Sequence, residues 1–233
     1  MAPFKVLKEK AWEGNQELFR RGLVIHTFGN ASAIDRSKGV FAIKPSGVAY
    51  ERLRPEEMVV VDLENRVVEG TLRFSSDTRT HSVLYRSFPE IGGVVHTHSP
   101  YAVAWAQAMK PIPIFGTMHA DHLPGDVPCT PVMDDKRIRG NYEEETGNLI
   151  VETFQNLSYQ AAPMVLVACH GPFTWGETCE QAVYHSVVLE ELARIALFTL
   201  QINPHTPRLK RALIDRHFDR KHGTEPTYGQ GAD

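Results

Sequence analysis

The spacing of apolar and polar positions changes period several times along this 233-residue chain. Near the start, Phe4, Leu7, Ala11 and Leu18 recur at helical spacing, and Gly22 is placed to end the helix. Short apolar runs follow. LVIHTF (23–28), VFAIK (40–44), MVVVDL (58–63) and RVVEG (66–70) read as strands, the last two as a hairpin turning at Glu64-Asn65. SSDTRTHSVLYRSF (75–88) reads as a helix behind a Ser/Asp-rich start, GGVVHTHS as a strand, and PYAVAWAQAM as a short helix. PMVLVACH (163–170) is a further strand, and residues 179–200 form the longest predicted helix. Strands mixed with helices, without regular βαβ repetition, predict an α/β protein whose mixed sheet is covered by helices on both faces. No repeat or linker-like shift divides the chain, so one domain is expected.

Composition narrows the class. A formal charge of −3 gives no electrostatic case for nucleic acid or anionic lipid as a partner. No apolar run approaches the roughly 20 residues of a membrane span, and the first residues lack a signal-peptide core. Cys129, Cys169 and Cys179 are odd in number and form no CxxC, which argues against a disulfide framework. A cytoplasmic protein without nucleic-acid or membrane partners is expected.

The polar positions that interrupt the apolar runs carry the candidate chemistry. His96 and His98 stand one residue apart in IGGVVHTHSP, a spacing that in a strand puts both rings on one side. On spacing alone, a shared metal ion and two separately hydrogen-bonded histidines fit equally well. His170 closes another predicted strand ahead of the turn formers Gly171 and Pro172, and three histidines leave a zinc position for a carboxylate, water or substrate. Small-residue turns hold Gly29, Asn30, Ser46, Gly47, Ser75 and Ser76, whose N–H groups and hydroxyls suit an anion, although most such turns only reverse the chain. No Walker A or GxGxxG pattern is present. His119, Asp121 and His122 fall in a polar loop where proton transfer or a second metal site competes with a plain surface turn. In the C-terminal helix Leu209, Leu213 and His217 recur at i, i+4, which suits either a partner surface or a solvated charged helix. Tyr228 lies in a Gly/Pro-rich end.

Taken in order, GNASAIDR, IKPSGVAY, VEGTLRFSSDTRTH, GGVVHTHSPYA, GTMHADHLPGDVPCT, YEEETGNLIVETF, CHGPFTWG and the terminal HFDRKHG and YGQ resemble the class II aldolase and adducin head family, most closely its L-ribulose-5-phosphate 4-epimerase branch. The resemblance implies a three-layer α/β/α fold around a mixed, largely antiparallel sheet. It also implies a single domain, 1–233, in a homotetramer with active sites between subunits, its tail (about 218–233) reaching a neighbour. Carried over residue by residue, His96, His98 and His170 match the family's metal-binding histidines, and Asp77 matches the epimerases' carboxylate at the metal. Zn2+ is the implied ion, though such ligands also accept Mn2+ or Co2+. The phosphate site is implied at Gly29, Asn30, Ser46, Gly47, Ser75 and Ser76, with Lys44 nearby. Asp121 and Tyr228 match an acid–base pair contributed by a neighbouring subunit, and His217 a histidine near that Asp.

The implied reaction is an isomerisation of a pentulose phosphate. The C4 proton is not acidic, because C4 is not adjacent to the C2 carbonyl, so inversion requires opening the C3–C4 bond and re-adding the enediolate to the other face of the aldehyde, with the metal as Lewis acid. An aldolase or epimerase acting on a related sugar or sugar phosphate is the alternative. A non-catalytic scaffold of the adducin type is at odds with the three histidines and the acid–base pair. One loop departs from the epimerase pattern: GTMHADHLPG carries Met118 where a Thr is usual and His122 where an aromatic is usual, next to Asp121.

Overall fold

The computed structural model describes residues 3–223. Its strands are β1 (Asn30–Asp35), β2 (Val40–Ile43), β3 (Val59–Asp62), β4 (Val67–Glu69), β5 (Gly93–His96), β6 (Met164–Val167) and β7 (Gly171–Gly176). Its helices are α1 (Lys5–Arg20), α2 (Thr78–Ser87), α3 (Pro100–Gln107), α4 (Thr117–Ala120), α5 (Asp135–Arg139), α6 (Tyr142–Thr153), α7 (Cys179–Ile202) and α8 (Arg211–His222). The strands form one sheet in the order β4-β3-β2-β1-β5-β7-β6, antiparallel at every neighbouring pair. The parallel contribution expected of a mixed sheet is a single bridge, Cys129 to Leu166.

Both faces of the sheet are covered, and the period-two rule sorts its residues between them. Phe41, Ile43, Val59, Val61, Val94, Val165 and Phe173 point into a cluster closed by Leu84 and Tyr85 of α2 and Ile150 of α6. Their alternate neighbours Val40, Ala42, Val60 and Val95 point the other way, onto Ala11 and Leu18 of α1 and Val183 of α7. Met164 and Leu166 meet α3 and α7 in a third cluster. This is the three-layer α/β/α arrangement. Trp175 anchors the α2–α6 side, 1 % exposed, with its indole N–H donating to Tyr159 O at 2.8 Å. Among the described residues no helix is long and apolar enough to cross a membrane.

Most predicted elements stand where their patterns put them, and the differences have physical reasons. Helix α1 ends as expected: Gly22 takes φ +67°, and the N–H of Leu23 donates to Leu18 O at 3.0 Å. The β3–β4 hairpin turns with Asn65 at φ +65°. The run 23–28 is not a strand; it bends through His26 at φ +53°. The strand comes just after it, as NASAID, whose small residues carry no β-rich signature. They are small because α1 lies close against them: a Cβ added at Gly14 would stand 3.4 Å from that of Ala31. Gly171 and Pro172 do not form a turn but open β7. The reversal falls at 168–170, with Cys169 at φ +63°.

Candidate metal centre and anion cleft

Antiparallel register brings four strand ends to one rim of the sheet. Asn30 at the start of β1 stands opposite His96 at the end of β5, and His96 stands opposite Phe173 near the start of β7. Ser32 pairs with Ile43, so β2 also ends at this rim. Pro45 then bridges Phe74, and the N–H of Ser46 donates to Arg73 O at 2.8 Å, which draws in the segment leading into α2. A cleft of about 390 Å3 opens at the rim, lined among others by Gly29, Asn30, Lys44, Ser46, Gly47, Ser75, Ser76, Asp77, His96, His98 and His170. The structure thus brings His96, His98, His170, Asp77 and the phosphate candidates into one cavity, while His119, Asp121 and His122, weighed as a second metal site, are not among its lining residues. A larger groove of about 660 Å3 at the opposite rim, bounded by Phe4, Lys10, Arg36, Glu90 and Glu177, contains no histidine.

The three rings converge. Their centroids are 4.8 Å apart for His96 and His98, 4.7 Å for His96 and His170, and 5.3 Å for His98 and His170. One ligand atom from each lies within 4.8 Å of the others. Strand alternation is not what aligns His98, because β5 ends at His96; the extended segment before Pro100 carries it round instead. The Nδ1–H of His96 donates to Pro172 O at 2.9 Å, and its ring stacks on Phe173 at 4.2 Å. With the hydrogen held on Nδ1, the Nε2 lone pair of His96 faces the cluster. His170 has its Nδ1 3.2 Å from the hydroxyl of Tyr142.

The donor set fits a divalent ion. The Nε2 atoms of His96 and His98 stand 3.0 Å apart, and two imidazole nitrogens on one tetrahedral zinc are separated by about 3.3 Å. Burial, reinforced by His96, pushes the pKa of His170 down to about 3, and burial followed by His96 lowers that of His98. Rings so depressed are neutral and offer lone pairs. Burial alone would raise the pKa of Asp77, but His96, His81, a hydrogen bond from Asn30 and His170 outweigh it and hold the carboxyl below its ordinary value. Asn30 donates its amide to Asp77 Oδ2 at 2.6 Å and to Ser75 Oγ at 3.1 Å, while its own Oδ1 is buried with no partner among the described residues. His96, His98, His170 and Asp77 are the residues that could hold the metal.

The other end of the cleft is built for negative charge. Lys44 is 1 % exposed, donates to Thr27 O at 3.3 Å and lies 4.7 Å above the Tyr50 ring. Desolvation lowers its pKa to about 8, with no carboxylate among the described residues offsetting that cost. An anion beside it would restore the full charge. Gly29 is required by geometry: φ is +78°, and a Cβ would stand 2.9 Å from the carbonyl oxygen of His96. Asp77 occupies the residue before α2 and, with Ser75 and Ser76, lines the same cleft, so the start of that helix borders it.

Asp121 and His217 lie together but outside this cavity. Asp121 follows α4, and its carboxylate accepts from His217 Nδ1 at 3.0 Å and from Arg220 Nε and Nη2 at 3.0 and 2.8 Å. Burial raises its pKa, but the Arg220 and His217 hydrogen bonds more than reverse that, leaving a carboxylate. Helix α8 reaches α4 through Ile214, which is buried against Ile114, Ala120 and Leu209, whereas Leu213 remains exposed. The expected Leu209–Leu213–His217 face is therefore replaced by one centred on Ile214 and His217. His122 makes hydrogen bonds with Tyr184 Oη (2.9 Å) and Met118 O (2.8 Å). Tyr228 lies outside the described residues.

Sequence reading passed over Tyr142, Glu143, Thr27 and Phe28, all of which line the cleft. The one available signal was the NYEEETGN start, an Asn followed by an acidic first turn, which marks a helix N-terminus but not the chemistry of Tyr142.

Comparison with known proteins agrees with this geometry. An L-fuculose 1-phosphate aldolase superposes with a TM-score of 0.77 at 23% identity, covering 92% of this chain and 95% of that one, which establishes the shared fold. YgbL from Klebsiella pneumoniae, described as a putative aldolase/epimerase/decarboxylase, gives 0.72 at 25% identity over 91% and 97% of the two chains. The L-fuculose-1-phosphate aldolase from Thermus thermophilus gives 0.66 at 27% identity over 87% and 98%. Residues 9–197 match the model of the Class II Aldolase and Adducin N-terminal domain, and the chain belongs to that family.

Proposed function

We propose that this protein is a divalent-metal-dependent sugar-phosphate 4-epimerase interconverting L-ribulose 5-phosphate and D-xylulose 5-phosphate. The observation that carries the reading is the single cleft in which three converging imidazoles and Asp77 stand beside the buried Lys44 and its Gly/Ser turns. The similar structures, two L-fuculose 1-phosphate aldolases and a putative aldolase/epimerase/decarboxylase, support carbon–carbon chemistry on a sugar phosphate.

Zn2+, Mn2+ or Co2+ held by His96, His98, His170 and Asp77 supplies Lewis-acid stabilisation of the charge that develops as C3–C4 opens. The chain's own residues do the rest. Lys44, with the N–H groups and hydroxyls around Ser46, Gly47, Ser75 and Ser76, holds the phosphate, so the cleaved aldehyde stays tethered while it turns its other face. The buried Oδ1 of Asn30 accepts from a substrate hydroxyl between the two ends. Asp121, kept ionised by Arg220 and His217, enters as a proton acceptor, and Tyr228 serves as the second proton-transfer group. Asp121 does not line the cleft of its own chain, in keeping with a homotetramer whose sites are completed by a neighbouring subunit and its tail. The proposal includes a single functional domain spanning the chain.

A panel of pentulose phosphates, assayed for both epimers and for released aldehyde, tests the reading. Epimer formation without accumulating aldehyde is expected. Steady release of aldehyde would favour the second reading, an aldolase, which the descriptions of the fuculose enzymes support; no turnover of any sugar phosphate would overturn both.

A further inference from the structure

The three histidines are held in unequal ways. His96 belongs to β5, is 1 % exposed and has its Nδ1 fixed by the carbonyl of Pro172. His170 sits outside both flanking strands, in the reversal between β6 and β7, next to Cys169 at φ +63°. Its backbone N–H donates to Val167 O at 3.0 Å, but this leaves the ring to rotate about its two side-chain torsions. The polar contact given to that ring is the hydroxyl of Tyr142, 3.2 Å from Nδ1, with the two ring centroids 6.0 Å apart.

We infer that Tyr142 is a positioning residue that holds His170 in its ligating orientation and tautomer, a deepening that rests on the metal-centre part of the function proposed above. An imidazole that gives Nε2 to an ion carries its hydrogen on Nδ1, and that hydrogen needs an acceptor. At His96 the acceptor is a backbone carbonyl; at His170 it is the phenol oxygen. Tyr142 is itself well placed for the task. It is the first residue of α6, whose body is fixed against α2 by Ile150 and by Thr80 Oγ1 donating to Glu143 O. The position of this ligand is thus set by a helix of the α2–α6 layer, not by the sheet that carries His96.

The test is Tyr142→Phe, which keeps the ring and removes only the acceptor. Metal-free wild-type and variant proteins are titrated with Zn2+ and with Co2+ against a competing chelator. Affinity roughly 10- to 100-fold weaker in the variant is expected, the usual effect of removing a hydrogen-bond partner of a ligand histidine. Equal thermal midpoints of the two metal-free proteins show that the loss is local. Affinity within twofold of wild type overturns the inference while leaving the metal centre intact, whereas a wild type that binds neither ion overturns the metal centre itself. Nitrogen-15 spectra of the zinc-loaded wild type give a second arm that needs no variant. His170 protonated at Nδ1 supports the assignment, and His170 protonated at Nε2 overturns it.

Discussion

The rim cleft and the Asp121 cluster both gather histidines and a carboxylate, yet they are built by opposite means. In the cleft, the positions of His96 and Asn30 follow from strand register, and the surrounding side chains are locked by backbone carbonyls and buried amides. Around Asp121, two helices meet over a small apolar contact of Ile114, Ala120 and Ile214, and charged side chains on α8 do the holding. The first arrangement is rigid because displacing it would break the sheet. The second can be reset by changing one side chain. A metal centre needs the former, since its ligands must stay within a few tenths of an ångström. A proton-transfer group needs only to arrive correctly once substrate is bound.

Substitutions should separate the two regions, starting with the largest effect. His98→Asn is expected to abolish metal retention and lower kcat/KM by roughly a thousandfold or more, about 4 kcal/mol of barrier; elemental analysis beside the epimer assay reads both losses. Asp121→Asn should leave metal content unchanged and slow turnover by roughly 10²- to 10⁴-fold. Loss of metal in that variant would mean that the two regions are one site. Lys44→Met should raise KM for the phosphorylated substrate by roughly 10- to 100-fold, as expected for a charge-assisted bond of about 1.5–3 kcal/mol, with little change for metal binding.

Acid should act on both regions of the metal-free protein. Burial pushes His81 to about 3 and His119 to about 4, so each is neutral when folded and charges on unfolding. The stability these depressed groups contribute is fully present above the unfolded histidine pKa of about 6.5 and falls as pH drops toward the folded values, by up to about 1.4 kcal/mol per pH unit for each. Urea midpoints at pH 7.5, 6 and 5 should decrease in that order; a flat series would contradict the burial of these rings. The smallest effect is expected for Arg220→Gln. It removes one of the side chains holding the Asp121 carboxylate and should cost less than about tenfold in kcat, with faster proteolysis of α8 and unchanged metal affinity.

The sequence made α1, α2, α3, α7, α8 and the Val-rich strands legible because their periods are strong, but it passed over α5 and α6 and read α4, with His119, as loop. It hid β1, whose NASAID composition reflects the closeness of α1 and not the preferences of a strand. It also disguised the start of β7, since Gly171 and Pro172 look like a turn until Pro172 is seen giving its carbonyl to His96. The three histidines could be picked out because each lies close to a predicted strand end, whereas Asp77 came only from the family resemblance. Their convergence could not, because it depends on the pairing of β1, β5 and β7, strands spread along the chain from Asn30 to Gly176. Arg220 was invisible for a related reason: its partner Asp121 is 99 residues away, and nothing local marks a bidentate pair.

The pairing of Asn30 with His96 has a further consequence. With β2 beside β1 and β1 beside β5, the turn after β2 and the histidine closing β5 are separated by two strand spacings, roughly 10 Å. That interval is a ruler cut into the hydrogen-bond ladder. No single side-chain change can lengthen it, because slipping a strand by one residue would turn its buried face outward. On the function proposed above, the distance between the phosphate turns and the metal centre would therefore be the least adjustable quantity the scaffold can offer. Substitutions in the turns can change which groups line the cleft, but not the spacing between its two ends.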